Sequence, residues 1–178
     1  MKEIKLKVSA TLMPTPGQPM NLGQAIANQD TARKNSTKIL WSALGIEDQF
    51  GEIISYYFFE KSKEKIKFFQ NHILSSEWFT FGAKRKFLIA LINEEKLLES
   101  KEKSEFEECS KKVISLRNRH THGEVRVKSD VTFIAYFEGQ PQEKELSDEY
   151  WDSVENIFEK AWNYVQKIRE KVIKTTGT

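Results

Sequence analysis

WDSVENIFEKAWNYVQKIREKV, residues 151–172, is the stretch on which the fold turns. Trp151, Val154, Phe158, Ala161, Val165, Ile168 and Val172 recur at alternating intervals of three and four, with charged residues between them. That is the narrow apolar seam of a helix lying along another helix, as in bundles and coiled coils. Ser147 stands ahead of it as an N-cap. Asp148 and Glu149 fill the first turn, where the helix dipole favours anions. The chain therefore needs other helices to cover this one.

They are legible upstream. Ile39, Leu40, Ala43, Leu44, Ile46, Phe50, Ile53, Ile54, Tyr57 and Phe58 fall on one broad face of a helix expected from Asp30 or Ser36 to Glu60, after a short helix from Asn21. Glu47 sits in the middle of that apolar face, where a bare carboxylate is costly. It must reach water or a cation, and Arg117 is the expected cation. Two shorter helices are expected at about 62–75 and 83–98, joined through the aromatic run Trp78 to Gly82, which should plug the core. The four tryptophans and the aromatics at 56–59 and 68–69 read as packing. Ser104 with Glu107 three residues on forms a capping box for a helix burying Phe106, Cys109, Val113 and Leu116. Gly123 is placed to end it as the left-handed residue beyond the last turn.

Two segments read as β. Ile4, Leu6, Val8, Ala10 and Leu12 alternate with polar residues before a turn rich in proline, Pro14 to Pro19. Val125 to Phe137, then Gly139-Gln140-Pro141, then Gln142 to Leu146 read as a hairpin, which the N-terminal strand should join, because a lone hairpin is marginal. The expected fold is mainly α: one domain over 1–178, a bundle of about five helices. It carries a small antiparallel β element, made of the strand within 1–20 and a hairpin insertion at 124–146.

Composition bounds the function. The chain has 178 residues, 39% hydrophobic and 30% charged, which excludes a disordered or collagen-like chain. No apolar run approaches the ~18 residues of a membrane span, and Met1 to Lys5 does not lead into a signal-peptide core. Cys109 is the single cysteine, so no intrachain disulfide or cysteine-rich zinc site exists. A cytoplasmic location is expected, with no membrane partner and no cofactor. The net charge of +2 hides a basic middle at 61–130, which suits a polyanion or simply a lysine-rich helix surface. There is no Gly-rich phosphate loop, Gly-x-Ser-x-Gly elbow or His-Glu-x-x-His.

Chemistry concentrates in Leu116-Arg117-Asn118-Arg119-His120-Thr121-His122-Gly123. Arg117 lies one turn beyond Val113 on the buried side, so it should be paired or line a cleft. At 100° per residue, His122 stands about 140° from Arg117 on an unbroken helix. Both reach one substrate only if the helix ends between them or two copies face each other. The plainer reading is a helix C-terminus ending in cations, which its dipole and free carbonyls favour. His120 and His122 could also suggest a metal pair, but Glu124 is the only adjacent carboxylate, so no metal is expected.

Arg-Asn-x-x-x-His at the end of a helix, inside a small helical bundle, resembles the HEPN superfamily (higher eukaryotes and prokaryotes nucleotide-binding domain). The matching positions are Arg117, Asn118 and His122, and the bundle at 36–123 and 147–174 extends the likeness over most of the chain. The resemblance implies metal-independent endoribonuclease activity at a site built across a homodimer. It implies RNA as substrate, and a role as a toxin or defence effector with an antitoxin or regulatory protein as partner. Arg117, Asn118 and His122 would be catalytic, with Glu47 and His120 supporting. An imidazole titrates near neutrality and suits proton transfer at a ribose hydroxyl, and a guanidinium forks onto phosphate. Many relatives are inactive, so a non-catalytic interaction or regulatory module is the alternative.

Overall fold

Ala25, Ala32, Ile39, Ala43, Ile46, Phe50, Ile53 and Ile54 form a single buried stripe, and that stripe winds into one uninterrupted helix, α1 (Leu22–Phe59). The short helix and the long one expected here are thus continuous, since nothing between Asn21 and Ser36 breaks the backbone. The computed structural model describes residues 10–13, 21–60, 62–128 and 131–175. The alternating positions before Ala10, the proline-rich turn and residues 176–178 lie outside the described residues.

After α1 come α2 (Lys63–Phe69), a π-helical turn (Gln70–Leu74), α3 (Phe81–Glu94) and α4 (Ser100–His122). A final helix, α5 (Asp148–Thr175), closes the chain. The mainly helical class and the five helices stand as read. α4 begins a turn before the expected capping box, because the Glu102 carboxylate accepts from the Glu99 N–H at 3.4 Å and covers that end, while the Ser104 hydroxyl bonds back to the Ser100 carbonyl. Ser147 caps α5 as expected, accepting from the Tyr150 N–H.

The chain forms two compact units. The first takes residues up to Trp41 and Ser115–Glu155; the second takes Ser42–Ile114 and the chain from Asn156. Each unit takes part of α1, α4 and α5. In the second unit Phe50 packs edge-on to Phe81 at 5.5 Å and beside Phe106 at 5.9 Å. Ala161, Val165 and Ile168, from the seam at 151–172, are fully buried in that core. The aromatic run 78–82 sends in Phe81, while Trp78 stays 84% exposed, contrary to expectation. Thr80 caps α3 and turns the chain there, so the first helical residue points inward. Phe68 is also exposed, at 64%, as is Trp41 of the first unit, at 68%. Phe50, Phe81 and Phe106 already fill the aromatic centre of this core.

The first unit carries a sheet of order β1-β2-β3-β4: β1 (Ala10–Met13), β2 (Glu124–Lys128), β3 (Val131–Glu138) and β4 (Gln140–Glu145). β2, β3 and β4 form an antiparallel meander, with Val125 opposite Ile134 and Phe137 opposite Pro141. The segment read as one strand, Val125 to Phe137, is therefore two. β1 joins β2 in parallel, Ala10 opposite Val125. A parallel neighbour needs a long crossover, and α1 to α4 supply it. Val125, Val127 and Ile134 are buried on the inner face of the sheet. No helix among the described residues is long and apolar enough to cross a membrane.

Gly123 links α4 to β2, and not by the expected left-handed turn. Gly139 is the glycine with positive φ among the described residues. At Gly123 the constraint is close approach: a Cβ there would overlap the Arg119 carbonyl oxygen and sit 2.9 Å from Ile134 Cγ1. Gly123→Ala should therefore lose about 1–3 kcal/mol in a denaturant melt, as overpacked sites do. Gly45, within α1, has nothing within 4 Å of its would-be Cβ, and Gly45→Ala should gain about 0.5–1 kcal/mol in the same assay.

Candidate functional site

On α4 the buried residues step Phe106, Cys109, Val113, Leu116, His120. The stripe's last position is thus a histidine, 2% exposed. Its Nδ1 lies 2.9 Å from the Ser36 hydroxyl on α1, and its Nε2 lies 2.8 Å from the Tyr150 hydroxyl on α5. Ser36 donates its own proton to the Ala32 carbonyl at 2.8 Å. It must therefore accept from Nδ1–H, which leaves Nε2 to accept from the Tyr150 hydroxyl. Every polar atom of the ring is then satisfied with His120 neutral. Burial, with the Arg119 charge beside it, pushes its pKa down to about 4. Burial likewise raises the Tyr150 hydroxyl, while the Arg119 charge pulls it back. With both ring nitrogens engaged and no exposure to speak of, His120 is a structural pin and not a proton carrier at a substrate.

Arg119 lies on the outer side of this pin. Its guanidinium carbon sits 4.2 Å above the Tyr136 ring and its Nη2 is 3.7 Å from Glu138. This cation is already engaged by β3.

The three motif residues behave differently. Arg117 is half-buried at the flank of the stripe, Asn118 is exposed, and His122 is exposed on the last residue of α4. Arg117 Nη1 donates to Asn118 Oδ1 at 3.1 Å. No carboxylate pairs with Arg117 among the described residues. α4 runs unbroken through His122, so within one chain the two residues stay about 140° apart around the helix axis.

His122 opens into a groove of about 430 Å³ on the outer face of the sheet, shared with Arg126, Phe137, Pro141 and Glu143. Arg126 reaches both Glu124, at 2.9 Å, and Glu143, at 3.3 Å. Lys128 holds the other Glu143 oxygen at 2.6 Å. Hydrogen bonding from Lys128, with the Arg126 charge behind it, keeps the Glu143 carboxyl below the usual carboxylate range. Among the described residues no group of three His, Cys, Asp or Glu side chains is arranged to hold a metal ion.

Comparison with protein-family models, with curated proteins and with solved structures finds no match to this chain. The site therefore rests on its own residues.

Glu47 does have the cation its position demands, but that cation is Lys84 of α3 at 2.8 Å, and not Arg117. Lys84 is 8% exposed, so its stem packs in the core while its ammonium meets the carboxylate. The pair belongs to the second unit, beside a cleft of about 490 Å³ that also takes in Asp48, Tyr56 and Gln70. Burial raises the Asp48 carboxyl, Lys84 opposes the rise and Glu47 adds to it. Glu47 is thus a packing partner, outside the motif cluster. Sequence reasoning missed Ser36 and Tyr150. The signal for Ser36 was its place in the stripe between Ala32 and Ile39, a polar residue with no solvent on its side.

Two outcomes follow for stability. A histidine held near 4 in the fold and near 6.5 in the unfolded chain stabilises the protein fully above pH 6.5. That contribution is lost as pH falls towards 4, about 3 kcal/mol in all. Melts from pH 7.5 to pH 4 should show this slope, and His120→Gln should flatten it as well as lowering stability. Glu47→Ala should cost about 1–3 kcal/mol at pH 7, because it strands the buried Lys84 ammonium. Glu47→Ala with Lys84→Met should recover part of that loss.

Proposed function

We propose that the chain is a metal-independent endoribonuclease of the HEPN type, acting as a homodimer through Arg117, Asn118 and His122 of both copies. The observation that carries the reading is the contrast within one helix end. Arg119 and His120 are taken up by the fold, while Arg117 has no carboxylate partner among the described residues and lies beside exposed Asn118, and His122 is open to solvent. A cation held by an amide, with no carboxylate partner among the described residues, is what a phosphate needs.

The continuity of α4 favours two copies. With Arg117 and His122 diverging on one helix, the guanidinium of one copy meets the imidazole of the other only across a twofold. One His122 then takes the proton from a ribose 2′-hydroxyl as its oxygen attacks phosphorus. The second, protonated, gives its proton to the departing 5′-oxygen. The Arg117 forks hold the non-bridging oxygens as charge builds on them. The products are a 2′,3′-cyclic phosphate and a 5′-hydroxyl. In the cell such an activity fits a toxin or defence effector restrained by an antitoxin.

The test is RNA cleavage by the purified chain, with cyclic phosphate read on the products. His122→Ala should lose about 10²–10⁴-fold. Arg117→Lys should fail nearly as badly, since an ammonium cannot reproduce the planar fork. Asn118→Ala should be milder, and EDTA should change nothing. Light scattering should give a dimer mass. A monomer at tens of micromolar that leaves structured and single-stranded RNA intact overturns the reading in favour of a non-catalytic interaction module.

A further inference from the structure

We propose that the groove beside His122 is a base subsite that takes guanine, stacked on Phe137 and read by Arg126 and Glu143. This rests on the ribonuclease reading for the role of His122, but its own footing is the outer face of the sheet.

In the register of the meander, Glu124, Ala135 and Glu143 lie side by side across three strands, and Phe137 lies beside Pro141 two residues further along β3. Ala135 is the small residue in the middle. Across its methyl group Arg126 of β2 reaches Glu143 of β4, setting a guanidinium and a carboxylate next to each other on one floor. Both remain accessible, at 31% and 37% side-chain exposure. Phe137 is 75% exposed. Among the described residues no ring stacks on it, although the aromatics of the second unit touch one another repeatedly. An open ring beside a hydrogen-bonding floor, in a groove the size of a small-ligand site, is the arrangement that holds a nucleobase.

The floor also selects among bases. Guanine presents, in one row, an acceptor oxygen and two neighbouring N–H donors. The oxygen suits a guanidinium N–H, and the two donors suit the two oxygens of a carboxylate, each of which keeps a lone pair beyond its present ion pair. Adenine, cytosine and uracil have no such pair of adjacent donors next to an acceptor. The same Arg126–Glu143 pairing disfavours a phosphate on this floor, because Glu124 and Glu143 already neutralise the guanidinium. The base, not the backbone, belongs there, and His122 lines the same groove.

The four nucleoside 3′-monophosphates, titrated into the isotopically labelled chain, test this directly. Guanosine 3′-monophosphate should bind about tenfold or more tightly than the other three, and should shift the Phe137 ring and His122 signals. Phe137→Ala should weaken it about tenfold, as loss of one stacking platform does. Glu143→Gln should erase the preference and leave the four nucleotides alike. Both side chains are at the surface, and a thermal melt checks that the variants fold. Cleavage mapping on a mixed-sequence RNA forms the second arm, with cuts expected after guanosine and scattered in Glu143→Gln. Guanosine 3′-monophosphate held in the groove while RNA stays intact supports the subsite and removes the nuclease. RNA cut without base preference, or four nucleotides bound equally by the unaltered chain, overturns the subsite and leaves the nuclease standing.

Discussion

A single neutral imidazole holds the end of α4 in place. His120 is gripped by the Ser36 hydroxyl on one side and the Tyr150 hydroxyl on the other, so α1, α4 and α5 meet at one ring in the first unit. Each hydrogen bond contributes only about 0.5–1.5 kcal/mol net, but removing any member strands a buried partner at about 1–3 kcal/mol. The network is therefore worth more as a constraint than as a sum. It fixes the rotation of the helix about its axis, and so decides which way Arg117, Asn118, Arg119 and His122 face. It also requires that the ring stay uncharged, since the same burial that satisfies both nitrogens opposes an imidazolium.

That constraint divides labour among neighbours of like chemistry. Of two histidines two residues apart, one is sealed and the other is open. Of two arginines two residues apart, one is engaged by a tyrosine ring and a glutamate of β3 and the other donates to an asparagine. Part of the basic excess in the middle of the chain is taken up in a comparable way. Lys84, Lys103, Lys112, Arg126 and Lys128 all have carboxylate partners. The helix end combines a half-buried guanidinium, Arg117, donating to the Asn118 amide, with an exposed imidazole, His122.

Much of this was legible in the sequence wherever periodicity governs burial. The seam at 151–172, the long apolar face of α1 and the stripe of α4 are helical because their spacing leaves no other way to bury them. Glu47 was rightly read as needing a cation, yet its partner could not be named, since that depends on how α3 packs on α1, which no local pattern encodes. His120 was readable in principle. The stripe Phe106, Cys109, Val113, Leu116 extended by one step of four lands on it, with Arg117 one position off. Ser36 announced itself as a polar residue in an apolar row, but Tyr150 did not, because a tyrosine beside Trp151 reads as ordinary aromatic packing and its partner His120 lies thirty positions away in another element. Trp78 and Phe68 show the opposite failure. Large aromatic side chains imply burial only while a core has room, and Phe50, Phe81 and Phe106 had taken it.

The parallel pairing of Ala10 with Val125 has a meaning for how the chain is made. Once made, β1 must wait for a partner encoded 115 positions later, roughly 6–23 seconds at ordinary elongation rates. During that interval α1 to α4 are made, while β1 lacks the neighbour it pairs with. Its neighbour arrives only behind Gly123, at the far end of α4. The pairing of β1 with β2 therefore cannot form until α4 has been made, so the segment made first among these elements cannot be the first to find its place in the sheet.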